Sequence, residues 1–167
     1  MEVLNCDYRI ENIKNVSKIE VPEGSLLLWV WHADKIPPHI GLSKNGEYYS
    51  LKANGKDQKI AIEKIESIIL KKNIKTLCFE LNSEVNLDEI TDIYNKFSQT
   101  IPFQVTCLDP IKEILNLPLA SKLTDLLSAL YATNSIKNVY GFNIDAQFSG
   151  IKNYFTSDIH DRLMKLQ

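Results

Sequence analysis

The sequence lacks the residue patterns that mark several common protein classes. Its three cysteines, Cys6, Cys78 and Cys107, show no Cys-x-x-Cys spacing. An odd number of unpaired cysteines favours free thiols in a reducing compartment over a disulfide framework. The sequence also has no glycine-rich phosphate loop, which argues against nucleotide use.

Excess charge of one sign and long apolar runs are also missing. The formal net charge is -2 and no basic block occurs, which argues against nucleic acid or an acidic membrane as the main partner. The longest apolar run, LLLWVW, is far too short to cross a bilayer. No basic segment followed by an apolar one marks a secretory signal. If Met1 is the natural start, these features predict a cytoplasmic protein.

The remaining sequence predicts one domain of the α+β class. Its 167 residues, 44% of them hydrophobic, suffice for a substantial core. Predicted strands are LLLWVW, HIGLS, EYYSLK, IKTLCFEL and PFQVTC, and ANGKDQ is predicted to be a loop. Predicted helices are IAIEKIESIILKKN, NLDEITDIYNKFSQ capped by Asn86, DPIKEILN capped by Asp109, SKLTDLLSALYATN, and a short one from Thr156. This order indicates a largely antiparallel sheet with packed helices.

The segment PPHIGLSKNGEYYSL contains one of only three histidines and a hairpin signal, Asn45-Gly46. A two-residue turn there pairs Lys44 with Glu47 and, further along, His39 with Lys52. Because side chains alternate between faces, one face of the hairpin is apolar and the other is mostly polar. The apolar face carries Ile40, Leu42, Tyr49 and Leu51, and the other carries His39, Gly41, Ser43, Tyr48, Ser50 and Lys52.

Two residues of this segment and one distant cysteine are candidates for chemistry. His39 has the Ser50 hydroxyl diagonally across from it, an arrangement that can fix an imidazole tautomer for base catalysis. Cys107 lies just before a predicted helix, where the helix dipole and unpaired N–H groups favour a thiolate. The alternative interpretation is that both residues are structural.

The order of the segments resembles the circularly permuted branch of the NlpC/P60 papain-like superfamily, which includes YiiX-like proteins. In that branch an apolar strand precedes a His-apolar-Gly-apolar strand, and a cysteine opens a later helix. This chain has SLLLWVW, HIGLSKNGEYYSL, IKTLCFEL and TCLDPIKEIL in that order. The resemblance covers about residues 22–120 of a single domain, 1–167, and leaves about residues 121–167 as a helical C-terminal extension.

The resemblance implies a papain-like cysteine hydrolase or acyltransferase, such as a peptidase or amidase. Such an enzyme would act on an amide or ester of a small peptide or acyl substrate, through a thioester and without a cofactor. Cys107 matches the nucleophile, His39 the general base, and Ser50 the third position, which is often Glu. A serine can orient the ring but cannot stabilise imidazolium by charge, and Leu108 replaces a position that is often small and polar.

Three further interpretations remain open. The chain could be a catalytically inactive papain-like domain that binds a protein partner or a ligand. A zinc site formed by Cys107, His39 and His32 is disfavoured because no closely spaced ligand pair is present. The aromatic side chains Tyr48 and Trp31, together with Trp29 and Tyr49, could line a substrate groove or belong to the core.

Overall fold

The computed structural model describes residues 7–166, so Cys6 lies outside the described residues. Within that range the protein has the predicted α+β architecture, a seven-stranded mixed sheet with five helices. The strands are β1 (Ile13–Asn15), β2 (Leu26–Trp31), β3 (His39–Lys44), β4 (Glu47–Lys52), β5 (Gly55–Ala61), β6 (Thr76–Leu81) and β7 (Ile136–Phe142). The helices are α1 (Ile62–Lys71), α2 (Leu87–Asn95), α3 (Leu108–Ile114), α4 (Leu123–Ala132) and α5 (Thr156–Lys165).

The strands are arranged in the order β1-β7-β6-β2-β3-β4-β5. The pair of β1 and β7 is parallel, whereas the five other pairs are antiparallel. Strand β2 is central and reads as a continuous apolar run because both of its faces are covered. The predicted largely antiparallel sheet is therefore present.

Two hydrophobic clusters cover the two faces of the sheet. The four-helix face takes Leu28 and Leu42 from the sheet and buried side chains from α2, α3, α4 and α5. The α1 face takes Trp29 and Tyr48 from the sheet and Ile65 from α1. Helix α1 covers its face together with the segment between β1 and β2, which adds Ile19, and most of the apolar burial lies on the four-helix face.

Several parts of the chain differ from the sequence prediction. Ile60 and Ala61, predicted as the start of a helix, end β5, and β1 was not predicted. The stretch PFQVTC is not a strand: a turn closed by the isolated bridge between Ile101 and Val105 occupies it. The predicted loop ANGKDQ instead contributes to β5. Strand β7 lies in the region predicted as a helical extension, so that region completes the sheet beside β6. Its sequence, IKNVYGF, has no clean alternation, because β7 is covered unevenly on its two sides.

The predicted register of the central hairpin is confirmed from the turn as far as Gly41 and Ser50. Gly41 pairs with Ser50, Leu42 with Tyr49, and Lys44 with Glu47. Asn45 at φ 51° and Gly46 at φ 76° form the turn, a conformation that these two residues tolerate. The phenol ring of Tyr48 packs directly onto the Cα of Gly41, which has no side chain to obstruct it.

Replacing Gly41 by alanine should therefore destabilise the protein by about 1–3 kcal/mol. The new Cβ would overlap the Tyr48 phenol and lie only 2.7 Å from the Tyr49 carbonyl oxygen, so the strands themselves would have to move. Urea denaturation measures the loss. Adding Tyr48→Phe should recover part of the lost stability, because the phenol oxygen of Tyr48 is one of the atoms that the new Cβ would overlap. A Gly41→Ala protein as stable as wild type would contradict this packing.

Candidate active site

Cys107 directly precedes α3 and already has helical backbone angles, φ -62° and ψ -16°. The side chain of Thr106 accepts a hydrogen bond from the Leu108 N–H at 3.2 Å, and Asp109 accepts one from the Thr106 N–H at 2.6 Å. These two bonds tie Thr106 to the first turn of α3. Asp109 lies within that turn rather than at the predicted cap position, and Pro110 is the third helical residue.

The thiol of Cys107 is held in its neutral form. Burial raises its pKa to about 11, although the backbone N–H groups of Ile40 and of Cys107 itself oppose the rise. A nearby carboxylate, Asp109, adds to the rise. The helix end does not supply a ready thiolate here, because the cost of desolvating the charge exceeds the gain from the N–H groups.

His39 begins β3, where it pairs with Trp31 at the end of β2. Since Trp31 packs against the cluster on the α1 face, the register assigns His39 to that face. Cys107 packs against the cluster on the four-helix face. The two candidate residues therefore belong to opposite faces of the sheet.

The imidazole of His39 is neutral at physiological pH. Its pKa is lowered to about 4, chiefly by burial; Lys52 and His32 contribute to the lowering, whereas Asp57 opposes it. Its Nε2 atom is buried and has no hydrogen-bond partner within the described part of the chain. A neutral ring with an unpaired nitrogen can accept a proton, so the state required of a general base is present.

A cavity of about 600 Å³ opens at this end of the sheet, a volume typical of small-molecule sites. His39 and Cys107 both line it, together with Trp31 and Tyr154. Its walls come from the β2–β3 loop, the β4–β5 turn, and the first turns of α3 and α4. Helix α5 closes another side with Ile159 and Leu163. The cavity brings together residues that lie far apart in the sequence.

Ser50 is placed differently from its predicted role as the orienter of His39. It is fully buried, and its hydroxyl donates a hydrogen bond to Asp57 Oδ2 at 3.0 Å. Asp57 also forms a 2.9 Å ion pair with Lys52. Asp57, a carboxylate of β5, favours the protonated ring of His39, while its ion-pair partner Lys52 opposes this effect.

Sequence reasoning missed Asp57 because β5 was predicted as a loop. The signal was present in a second Asn-Gly pair, Asn54-Gly55. Lys52 pairs with Gly55 across a two-residue turn, and counting back places Asp57 opposite Ser50. The register then shifts before Tyr48, next to Lys59 at φ 54°, so a bulge separates Asp57 from the rest of the strand.

The other candidate residues fall into different environments. Trp31 is half-buried and lines the cavity. Tyr48 is fully buried in the core, as are Trp29 and Tyr49. Cys78 is a buried free thiol in β6.

The described residues contain neither a group of side chains arranged to bind a metal ion nor a helix that could span a membrane. Although Cys107, His39 and His32 line the same cavity, no group of three or more His, Cys, Asp and Glu side chains in residues 7–166 is arranged to hold a metal ion. In the same part of the chain, no helix combines the length and the apolar composition that a bilayer crossing requires.

No protein-family model, curated protein or solved structure matches this chain. A function for the cavity therefore has to be inferred from its residues and from the resemblance noted in the sequence.

Proposed function

We propose that this protein is a cysteine hydrolase or acyltransferase that acts on an amide or ester through a thioester on Cys107. The observation that carries the proposal is the shared cavity: Cys107 and His39, far apart in sequence, line the same space of about 600 Å³. Together with the resemblance to the permuted NlpC/P60 papain-like proteins, this arrangement supports the roles of nucleophile and base.

The reaction would begin with both groups uncharged. Cys107 Sγ attacks the carbonyl carbon while its proton passes to a ring nitrogen of His39. The resulting oxyanion lies near the N–H groups of Ile40 and Cys107, which already approach the sulfur. His39 then returns the proton to the leaving amine or alcohol, and a thioester remains. Water hydrolyses the thioester, or another nucleophile accepts the acyl group.

Asp57 would supply the charge that Ser50 cannot. When His39 becomes imidazolium, the carboxylate of Asp57 stabilises it electrostatically, as its effect on the pKa of the ring indicates. Ser50 then acts by holding Asp57 through their 3.0 Å hydrogen bond. This arrangement assigns a positioning role to Ser50 and the electrostatic role to a residue of β5.

The proposal predicts a covalent intermediate on one thiol. With p-nitrophenyl acetate, the wild-type protein should form an acetyl adduct on Cys107 and release nitrophenolate repeatedly, because the thioester is hydrolysed. Intact-mass analysis and peptide mapping would locate the adduct. Cys107→Ala should lose both signals, whereas Cys78→Ala, the matched change of a thiol buried in β6, should keep them. Turnover that survives Cys107→Ala would contradict the proposal.

A second candidate function is ligand binding without chemistry. It is favoured by the opposite sheet faces of His39 and Cys107 and by the thiol pKa of about 11. In this case the cavity would bind its ligand reversibly, and Cys107 would be a wall residue. A wild-type protein that forms no adduct yet binds small molecules in the cavity would favour this function.

A further inference from the structure

The charged side chains that line the cavity are all basic. Lys35, Lys52, Lys122 and Arg162 line it, and no Asp or Glu of the described chain does. This imbalance is local, since the protein as a whole carries a net charge of -2. A cavity lined by charge of one sign attracts ligands of the opposite sign.

Two of the four cations are already engaged. Lys52 pairs with Asp57 at 2.9 Å, and Lys122 donates a hydrogen bond to the Tyr154 carbonyl at 3.1 Å. Lys35, on the β2–β3 loop, and Arg162, on α5, form no side-chain hydrogen bond or ion pair within residues 7–166. Both are exposed at the cavity, so their charges are available to a ligand.

Lys35 and Arg162 both exert an electrostatic effect on His32. Both lower the pKa of His32, which burial lowers first, while Asp34 opposes them. Their positive potentials therefore overlap at His32, another residue of the cavity wall. The cavity wall therefore carries two cations without a side-chain partner in the described chain, one from a loop and one from a helix, and cations of this kind can donate charge-assisted hydrogen bonds to an anion.

The cavity wall also contains buried polar atoms that have no hydrogen-bond partner in the described chain. Thr100 lines the cavity and is only 2% exposed, yet its hydroxyl has no partner in the described chain. His39 lines the cavity too, and its Nε2 is likewise buried and unpaired. Unpaired buried polar atoms are costly and mark places where a ligand can supply the missing bonds.

We propose that the cavity binds a molecule with an anionic carboxylate or phosphate group at Lys35 and Arg162 and an apolar body beyond it. The body would pack against aliphatic side chains that line the cavity: Ile40, Leu51, Leu108, Leu123, Ile159 and Leu163. That the bound molecule is also the substrate rests on the proposed function of Cys107, whereas the binding itself does not.

The test uses the full chain with Cys107→Ala, so that no turnover disturbs binding. Calorimetric titrations compare octanoate, octyl phosphate, 1-octanol and octyltrimethylammonium, which share an apolar tail and differ in charge. The anions should bind at least about tenfold more tightly than the alcohol, because charge-assisted hydrogen bonds are added. The cation should bind most weakly. The ratio of octanoate to octyl phosphate affinity identifies the preferred anion.

Variants then locate the anion. Lys35→Gln/Arg162→Gln should remove the preference for anions over octanol while leaving octanol binding unchanged. The matched control Lys71→Gln/Lys165→Gln removes two exposed cations from α1 and α5 that do not line the cavity, and it should keep the preference. Equal binding of octanol and the anions, an unaltered preference in the first variant, or no binding at all would each overturn the proposal.

A further binding experiment distinguishes a free anionic ligand from the anionic surface of a membrane. Phosphatidylglycerol vesicles that bind the protein when free octanoate and octyl phosphate do not would overturn the small-ligand proposal in favour of membrane attachment. Failure of the proposed function gives a different pattern. In that case anion binding persists in Cys107→Ala, but the wild-type protein forms no acetyl adduct.

Discussion

His39→Ala should slow the acylation of Cys107 by p-nitrophenyl acetate about 10²–10⁴-fold at neutral pH. The thiol has a pKa of about 11, so hardly any thiolate exists at neutral pH without a base. Under the proposed mechanism, His39 takes the proton during attack, and it is neutral above its own pKa of about 4. Without the imidazole, the reaction depends on the small fraction of thiolate.

The pH profile distinguishes this role from a structural one. The wild-type rate should stay nearly constant across the neutral range and fall as pH drops through about 4, where His39 becomes protonated. The rate of His39→Ala should instead rise about tenfold per pH unit toward the pKa of Cys107. His160→Ala is the matched control, because His160 stacks on Phe103 and does not line the cavity. Parallel profiles for His39→Ala and wild type would refute base catalysis by His39.

The sequence predicts the central hairpin well because local chemistry determines it. Asn45 and Gly46 impose the turn, and alternation then assigns each neighbouring side chain to a face. Asn86, the predicted cap of α2, does accept a hydrogen bond from the Glu89 N–H. Such features need no information from distant parts of the chain.

The sequence predicts the site less well because the site depends on how distant parts of the chain come together. The predicted hairpin placed His39 on the mostly polar face, and the structure shows that face covered by α1. Nothing local indicates that Cys107 packs on the other face, since the packing of α3 decides it. Nothing local indicates either that α5 returns to close the cavity with Ile159 and Leu163. The shared cavity could be found only from the assembled fold.

The burial of ionisable groups also escapes local reasoning. A cysteine just before a helix predicts a lowered thiol pKa, whereas burial among α3 and β3 raises it to about 11. The helix end contributes through a few N–H groups, while desolvation reflects the whole surrounding structure. The proposed chemistry therefore starts from a neutral pair, rather than from the thiolate that the position of Cys107 in the sequence predicts.

The second large effect concerns the core of the α1 face: Trp29→Ala should reduce the free energy of unfolding by about 3–5 kcal/mol. Trp29 is fully buried in the central strand β2. Its ring stacks on Phe142 with centroids 5.8 Å apart and meets the edge of Tyr48 at 6.3 Å. Its Nε1 donates a hydrogen bond to Ser43 Oγ at 2.8 Å. Truncation would leave a cavity beneath α1, and the buried Ser43 hydroxyl would lose its hydrogen-bond partner.

Trp31→Ala is the matched control, because Trp31 lies two residues along the same strand and face but is half-buried at the cavity. Its loss should cost about 1–2 kcal/mol, since less apolar surface returns to water. Urea denaturation followed by circular dichroism measures both variants. The two substitutions should also separate stability from function: Trp31→Ala should weaken octanoate binding in a protein that remains folded. Equal destabilisation by the two would contradict the assignment of Trp29 to the core and of Trp31 to the cavity wall.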